Sequence, residues 1–137
     1  MGRLTMNKTA NLAVALSVVA VLGGIATVGT QSAVKRSVLQ QADIVSPGRE
    51  AIMTRTEVSM GGTSGRHTHP GEEVSYMLEG TLVLEVQGKP PVTLKAGDSF
   101  MIPAKAIHNA TNKGNTPAII VSTYIVEKGQ PLATPAQ

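Results

Sequence analysis

The segment Gly61-Gly62-Thr63-Ser64-Gly65-Arg66-His67-Thr68-His69-Pro70-Gly71-Glu72-Glu73 holds two of the three histidines of this chain, and the third closes Ile102-Pro103-Ala104-Lys105-Ala106-Ile107-His108. Side chains two apart on a β-strand leave the same face, so His67 and His69 can offer two imidazoles to one ion while Thr68 points away. Pro70 and Gly71 supply turn chemistry, and Glu73 on the strand that follows brings in a carboxylate. The same alternation sends its neighbour Glu72 to the opposite face. Imidazoles from His67, His69 and His108 with the Glu73 carboxylate make a ligand set for one divalent transition metal, be it Fe, Mn, Ni, Cu, Co or Zn. Such a set leaves coordination positions open to water or substrate, as a reactive rather than a structural site does.

Outward from this segment the chain reads as short strands. Ala51 to Met60 alternates, and Glu73 to Leu78 and Thr81 to Val86 flank Glu79-Gly80, a hairpin signal. Gly88-Lys89-Pro90-Pro91 and Ala96-Gly97-Asp98 are turns on either side of a short strand, Val92 to Lys95. Ser99 to Ile102 and Ile107 to Thr111 enclose the Pro103 loop, and Ala118 to Val126 is the longest β-branched run. With no amphipathic helical segment competing, the expected class is all-β, a sandwich or barrel. Alternation from Glu73 puts Ser75 and Met77 on its face and Tyr76 on the other. Met53, Met60, Met77 and Met101 are candidates for a plastic apolar lining, although ordinary core filling is the simpler role for each. Arg66, Glu79 and Lys105 read as solvated charges.

The spacing of the defined positions resembles the two motifs of the cupin superfamily. Gly61, His67, His69, Glu73 and Gly80 match the first motif, and Gly97, Pro103, His108 and Asn112 the second. Lys105 stands where the family usually has Gly, which implies a slightly different turn before His108, since Gly there permits positive φ. The resemblance covers roughly residues 49–128. It implies a double-stranded β-helix or jelly-roll barrel with the metal in its mouth, often dimeric. It also implies a broad menu of chemistry that includes dioxygenases, hydrolases, decarboxylases, isomerases and lyases.

The remainder of the chain frames that barrel. From Leu12 to Val28 the sequence is almost continuously apolar, preceded by Arg3 and Lys8, and no charge falls between Lys8 and Lys35. With the small residues Gly29 to Ala33 this reads as a secretory signal, or as an uncleaved anchor given the run's length. The expected organisation is therefore a signal peptide or membrane anchor over 1–33, a linker over 34–48, a cupin barrel over 49–128 and a disordered tail over 129–137. The barrel is expected outside the cytoplasm, periplasmic or secreted, with membrane attachment through the leader as the alternative.

The formal charge of +3 comes from 12 basic and 9 acidic residues, and two of the basic ones, Arg3 and Lys8, lie in the leader. The near-neutral remainder has no basic stripe and almost no aromatic residue to stack on bases, which argues against nucleic-acid binding. With no cysteine there are no disulfides and no thiolate ligands or nucleophiles. A domain of about a hundred residues sits near the low end for an independent core, which makes a homodimer physically attractive.

Two functional classes follow. One is a metal-dependent enzyme, dioxygenase-like or an isomerase or lyase, acting on a small organic molecule with Glu73 as ligand and proton acceptor. Tyr76 or Tyr124 would be a candidate acid only on reaching the pocket. The other is a barrel that holds a metal or small ligand without turnover, supported by a shortage of further polar residues assignable to the pocket.

Overall fold

A computed structural model describes residues 33–137; the leader or anchor expected over 1–33 falls, apart from Ala33, outside the described residues. All regular structure among the described residues is β: β1 (Val34–Asp43), β2 (Arg49–Val58), β3 (His67–Thr68), β4 (Glu72–Glu79), β5 (Thr81–Val86), β6 (Val92–Lys95), β7 (Ser99–Ile102), β8 (His108–Thr111), β9 (Ala118–Glu127) and β10 (Thr134–Pro135). They form two five-stranded antiparallel sheets, ordered β1-β2-β9-β4-β7 and β10-β3-β8-β5-β6. Their inner faces meet in a main apolar cluster, and Ile52, Tyr124 and Val126 form a smaller one. In the main cluster Val58, Met77, Ile102 and Ile120 come from the first sheet, and Leu82, Leu84 and Leu94 from the second. Burial of these side chains is the main force holding the sheets together, at roughly 1.5–3 kcal/mol for each fully buried aliphatic side chain.

Alternation governs which residues reach that interior. Along β4, Glu73, Ser75 and Met77 are buried while Val74, Tyr76 and Leu78 are exposed, as the period of two requires. The Phe100 and Ile102 face of β7 turns inward, with Ile102 fully buried and Met101 exposed. The methionine lining does not form: Met77 is buried, but Met53, Met60 and Met101 lie on the surface.

Four sequence expectations are corrected. Residues 34–48 are not a linker, because Val34–Asp43 is a full strand paired antiparallel with β2, from Val34 opposite Val58 to Asp43 opposite Glu50. As an edge strand it is exposed along nearly its whole length, so it carries no hydrophobic alternation that would mark it. Glu79-Gly80 is not a hairpin turn, because β4 and β5 belong to different sheets. Gly80 instead makes a corner at φ +73°, where a Cβ would come within 2.5 Å of the Pro117 carbonyl oxygen. Local turn chemistry cannot tell a strand that folds back from one that crosses over.

Lys105 adopts φ +61°, so the turn keeps the left-handed conformation in spite of the missing glycine. Its backbone N–H donates to the His69 carbonyl at 2.9 Å, which ties the loop before His108 to the other histidine segment. The segment 129–137 is ordered, with Thr134 and Pro135 pairing opposite Thr68 and His67 and the Ala136 N–H donating to Arg66 O at 2.9 Å.

Candidate metal centre

The strand register assembles the site. His67 on β3 and His108 on β8 are direct cross-strand partners, so the second sheet sets two imidazoles side by side, with ring centroids 4.2 Å apart. His69 follows two residues later, 4.8 and 4.9 Å from the other two rings. Candidate ligand atoms of the three histidines all lie within 4.8 Å of one another. Gly71 then passes so close to β9 that a Cβ there would overlap the Ile125 carbonyl, which lets the chain cross to the first sheet and present Glu73. Its neighbour Glu72 faces outward as expected and pairs with Arg49 at 2.8 Å.

Each imidazole is oriented by a backbone carbonyl. His67 Nδ1 is 2.8 Å from Gly65 O, His108 Nδ1 2.9 Å from Ala106 O, and His69 Nδ1 2.6 Å from Leu132 O. A carbonyl can only accept, so Nδ1 carries a proton in all three, which leaves Nε2 as the atom each ring can turn to an ion. Burial pushes His67 down to about 4, helped by the neighbouring histidines and Arg36 against the opposing bond to Gly65. Burial also lowers His108. Both are therefore neutral at pH 7, as ligation requires.

Glu73 is oriented by side chains instead. Its Oε1 accepts from Ser75 Oγ at 2.8 Å, Ser122 Oγ at 2.9 Å and Tyr124 OH at 3.2 Å. The two serine hydroxyls also lie 2.7 Å apart, so two protons serve three short contacts and the pair shares them. Register explains the cluster: Ser75 and Tyr124 lie on strands where Ser75 faces Ser122 and Glu73 faces Tyr124. Burial alone would raise the Glu73 carboxyl, but His69, Ser75 and Ser122 beside it outweigh that and hold it at about 2. Tyr124 moves the other way, up to about 12, through burial and the Glu73 charge, and so stays a neutral donor.

The remaining oxygen, Oε2, points at the imidazoles, 3.1 Å from His69 Nε2 and 3.7 Å from His108 Nε2. His69 Nε2 is buried without a hydrogen-bond partner despite that short distance. No lysine or arginine among the described residues pairs with Glu73. A buried carboxylate among three imidazoles depends on positive charge beside it, and a metal ion there would supply that charge and give the unpartnered His69 Nε2 a partner. The residues fit one divalent metal. Among the described residues the structure brings His67, His69 and His108 together as a possible metal site and sets Glu73 Oε2 beside two of them, all four lining a cavity of about 40 Å³.

Sequence reasoning missed part of this surround. Ser122 lies on the same strand face as Tyr124, and the alternation of β9 carried that signal. The expected shortage of polar residues is overturned by Ser75, Ser122 and Tyr124 around Glu73 and by Arg36 at the cavity edge. Arg36 and Leu132 had no local signal, lying in segments with neither a motif nor periodicity. Asn112, a spacing match only, is fully buried; its Nδ2 donates to Val58 O and Thr116 O at 2.9 and 2.8 Å, and its Oδ1 accepts from Gly114 N. It braces the loops behind the site and does not reach it.

Known proteins share both sequence and architecture with this chain. It is 31% identical over 110 residues to germin-like protein 5-1 of Oryza sativa subsp. japonica, covering 74% of this chain and 50% of that protein. It is 40% identical over 74 residues to human (Homo sapiens) 3-hydroxyanthranilate 3,4-dioxygenase, covering 50% of this chain and 26% of the relative. Oxalate oxidase 2 of Hordeum vulgare is 27% identical over 112 residues, with 73% and 50% covered. The chain spans half or less of the length of these three curated relatives. A cupin-like protein from Thermotoga maritima superposes with TM-score 0.63 at 19% identity, covering 77% of each chain, which supports the fold. The Cupin domain family model matches residues 54–132, a stretch that runs from β2 through both histidine segments to Leu132, and the chain belongs to the cupin family.

Proposed function

We propose that this protein is an exported metal-dependent enzyme, an oxidoreductase of the dioxygenase or oxidase kind, acting on a small organic molecule. The carrying observation is the pairing of three imidazoles oriented through Nδ1 with a buried, ionised Glu73 that has no lysine or arginine beside it among the described residues. His67, His69, His108 and Glu73 would hold one divalent transition metal. When bound, such an ion supplies Lewis acidity and, if redox-active, a means of handling dioxygen. The similarity to oxalate oxidase 2 and to 3-hydroxyanthranilate 3,4-dioxygenase supports the oxidative choice over the isomerase or lyase one.

The protein's own residues hold and exclude. Three hydroxyls clamp one oxygen of Glu73, and its low pKa makes it first a source of negative charge. Accepting a proton from substrate, the further role expected of Glu73, would fall to Oε2, the oxygen those hydroxyls leave free and that faces the imidazoles. Leu82, Leu84, Phe100 and Ile120 line the cavity and keep bulk water from the inner end.

Elemental analysis of the purified full chain, followed by oxygen uptake with Fe, Mn, Co, Ni, Cu or Zn restored against small acids, enols and diketones, tests the proposal. Metal-dependent uptake is expected. A barrel that holds a metal or small ligand without turnover is the competing outcome. Tight ligand binding without turnover under any metal would put it in place of the enzyme.

Export rests on the apolar run and its basic flank, and sequencing the mature N-terminus checks it: a start between Thr30 and Lys35 is expected for a cleaved leader, an intact end in membranes for an anchor. A homodimer is supported by Met53, Val74, Tyr76, Leu78 and Met101, exposed on the first sheet, and sedimentation would report it.

A further inference from the structure

The first strand adds a group that the metal centre does not need for itself. Arg36 sits opposite Thr56 in register and donates from Nε to Thr56 Oγ1 at 3.3 Å. Its Cζ lies 5.6 Å from the centroid of the Tyr124 ring. It lines the inner cavity of about 40 Å³ and also an outer vestibule of about 390 Å³, so it stands where one opens into the other. Arg49 and Arg55 each pair with a carboxylate, Glu72 and Glu57, but none among the described residues pairs with Arg36. The vestibule also contains Arg66 and has no acidic side chain in its lining.

A guanidinium that meets no acid, held by a threonine and an aromatic ring over a largely apolar passage, is positioned as an anion receptor. Its planar fork matches the two oxygens of a carboxylate. With Nε engaged by Thr56, the terminal nitrogens make no hydrogen bond among the described residues and remain available. We propose that Arg36 is a specificity-determining residue that binds the carboxylate of a small organic acid whose other end reaches the centre formed by His67, His69, His108 and Glu73. This deepens the metal-dependent reading of the same site and rests on it. The volume of the inner cavity limits the reacting end to a few heavy atoms, while the vestibule tolerates a larger remainder.

The test is calorimetric titration of the full chain, loaded with Mn(II), with oxalate, malonate and succinate and with their uncharged diamides. Wild type is compared with R36Q and R36K. At least one diacid is expected to bind, its diamide not. R36Q should weaken the diacid by at least about tenfold, R36K by less, and added salt should narrow the difference. Mn content and thermal midpoint should be unchanged in both variants, since Arg36 is exposed and touches no ligand directly. Equal affinity of R36Q and wild type for every acid, or no diacid bound by wild type, overturns the proposal. Failure of any metal to load defeats the metal reading separately, because the same titration on metal-free chain still reads whether anion binding depends on Arg36.

Discussion

The two sheets contribute to one centre by different means. The second sheet, with the loops around β3 and β8, supplies three imidazoles, and each is oriented by a main-chain carbonyl: Gly65, Ala106 and Leu132. The first sheet supplies a single carboxylate, oriented by the side chains Ser75, Ser122 and Tyr124. A carbonyl is present whatever residue carries it, so the imidazole half depends on the course of the backbone. The carboxylate half depends on residue identity at three positions. Orientation through the chain and orientation through side chains should therefore fail under different perturbations.

The largest effect is expected where a ligand itself is removed. His69→Ala deletes an imidazole and the buried Nε2 that faces Glu73, and metal affinity should fall by more than the roughly 10–100-fold typical of losing an outer-shell partner. Equilibrium dialysis with full stoichiometry and unchanged affinity would break the assignment. Next comes the backbone half. Deleting residues 131–137 removes the Leu132 carbonyl, and we expect metal affinity to drop by about 10–100-fold while the barrel still melts cooperatively. An unaffected affinity would mean that His69 is held without its carbonyl.

Acid should act on the halves in sequence. The folded pKa of His67, about 4, lies below its ordinary 6.5, so between those values the unfolded chain binds the proton that the folded chain refuses. Stability of the metal-free protein should thus fall as pH drops from 6.5 towards 4. Glu73, held at about 2 against an ordinary 4.5, adds a further loss from 4.5 downwards, because the ionised form is the one the fold favours. Urea midpoints across this range should decline in both windows; a flat profile above pH 4.5 would show that His67 is protonated in the folded state.

A smaller effect is expected from Ser122→Ala. It removes one of the hydroxyls on Glu73 Oε1, leaves Ser75 and Tyr124 in place, and should weaken metal binding by roughly tenfold, at the low end for an outer-shell change. If this substitution exceeds the tail deletion, the side-chain half is the more sensitive of the two. The smallest change is Lys105→Gly. The left-handed conformation costs a residue with a Cβ about 1–2 kcal/mol, offset in part by the greater freedom of glycine when unfolded. A gain of up to about 1 kcal/mol in denaturant unfolding is expected, with no change in metal affinity.

How much of this was legible beforehand follows the same division. His67, His69, Glu73 and His108 could be named because ligand types at strand spacing carry their own periodicity, and the inward face of β4 followed from alternation alone. Arg36 could not, since an edge strand exposed on both faces shows no pattern in its residues. Leu132 could not either, because a main-chain carbonyl contributes no residue signature. Lys105 misled in the other direction: its identity argued for an altered turn, while its contact with the His69 carbonyl keeps the turn a glycine would make.

The amino-acid order by itself determined the all-β class, the four candidate ligands and the inward face of β4, all consequences of short-range geometry that any strand must obey. Only the tertiary structure decided that β4 and β5 part at Gly80 into different sheets, that residues 34–43 complete the first sheet, and that the final segment returns to hold His69. Those outcomes depend on which distant backbone edges meet. That choice is set by the summed burial of two sheet faces, and no local window of the chain contains it.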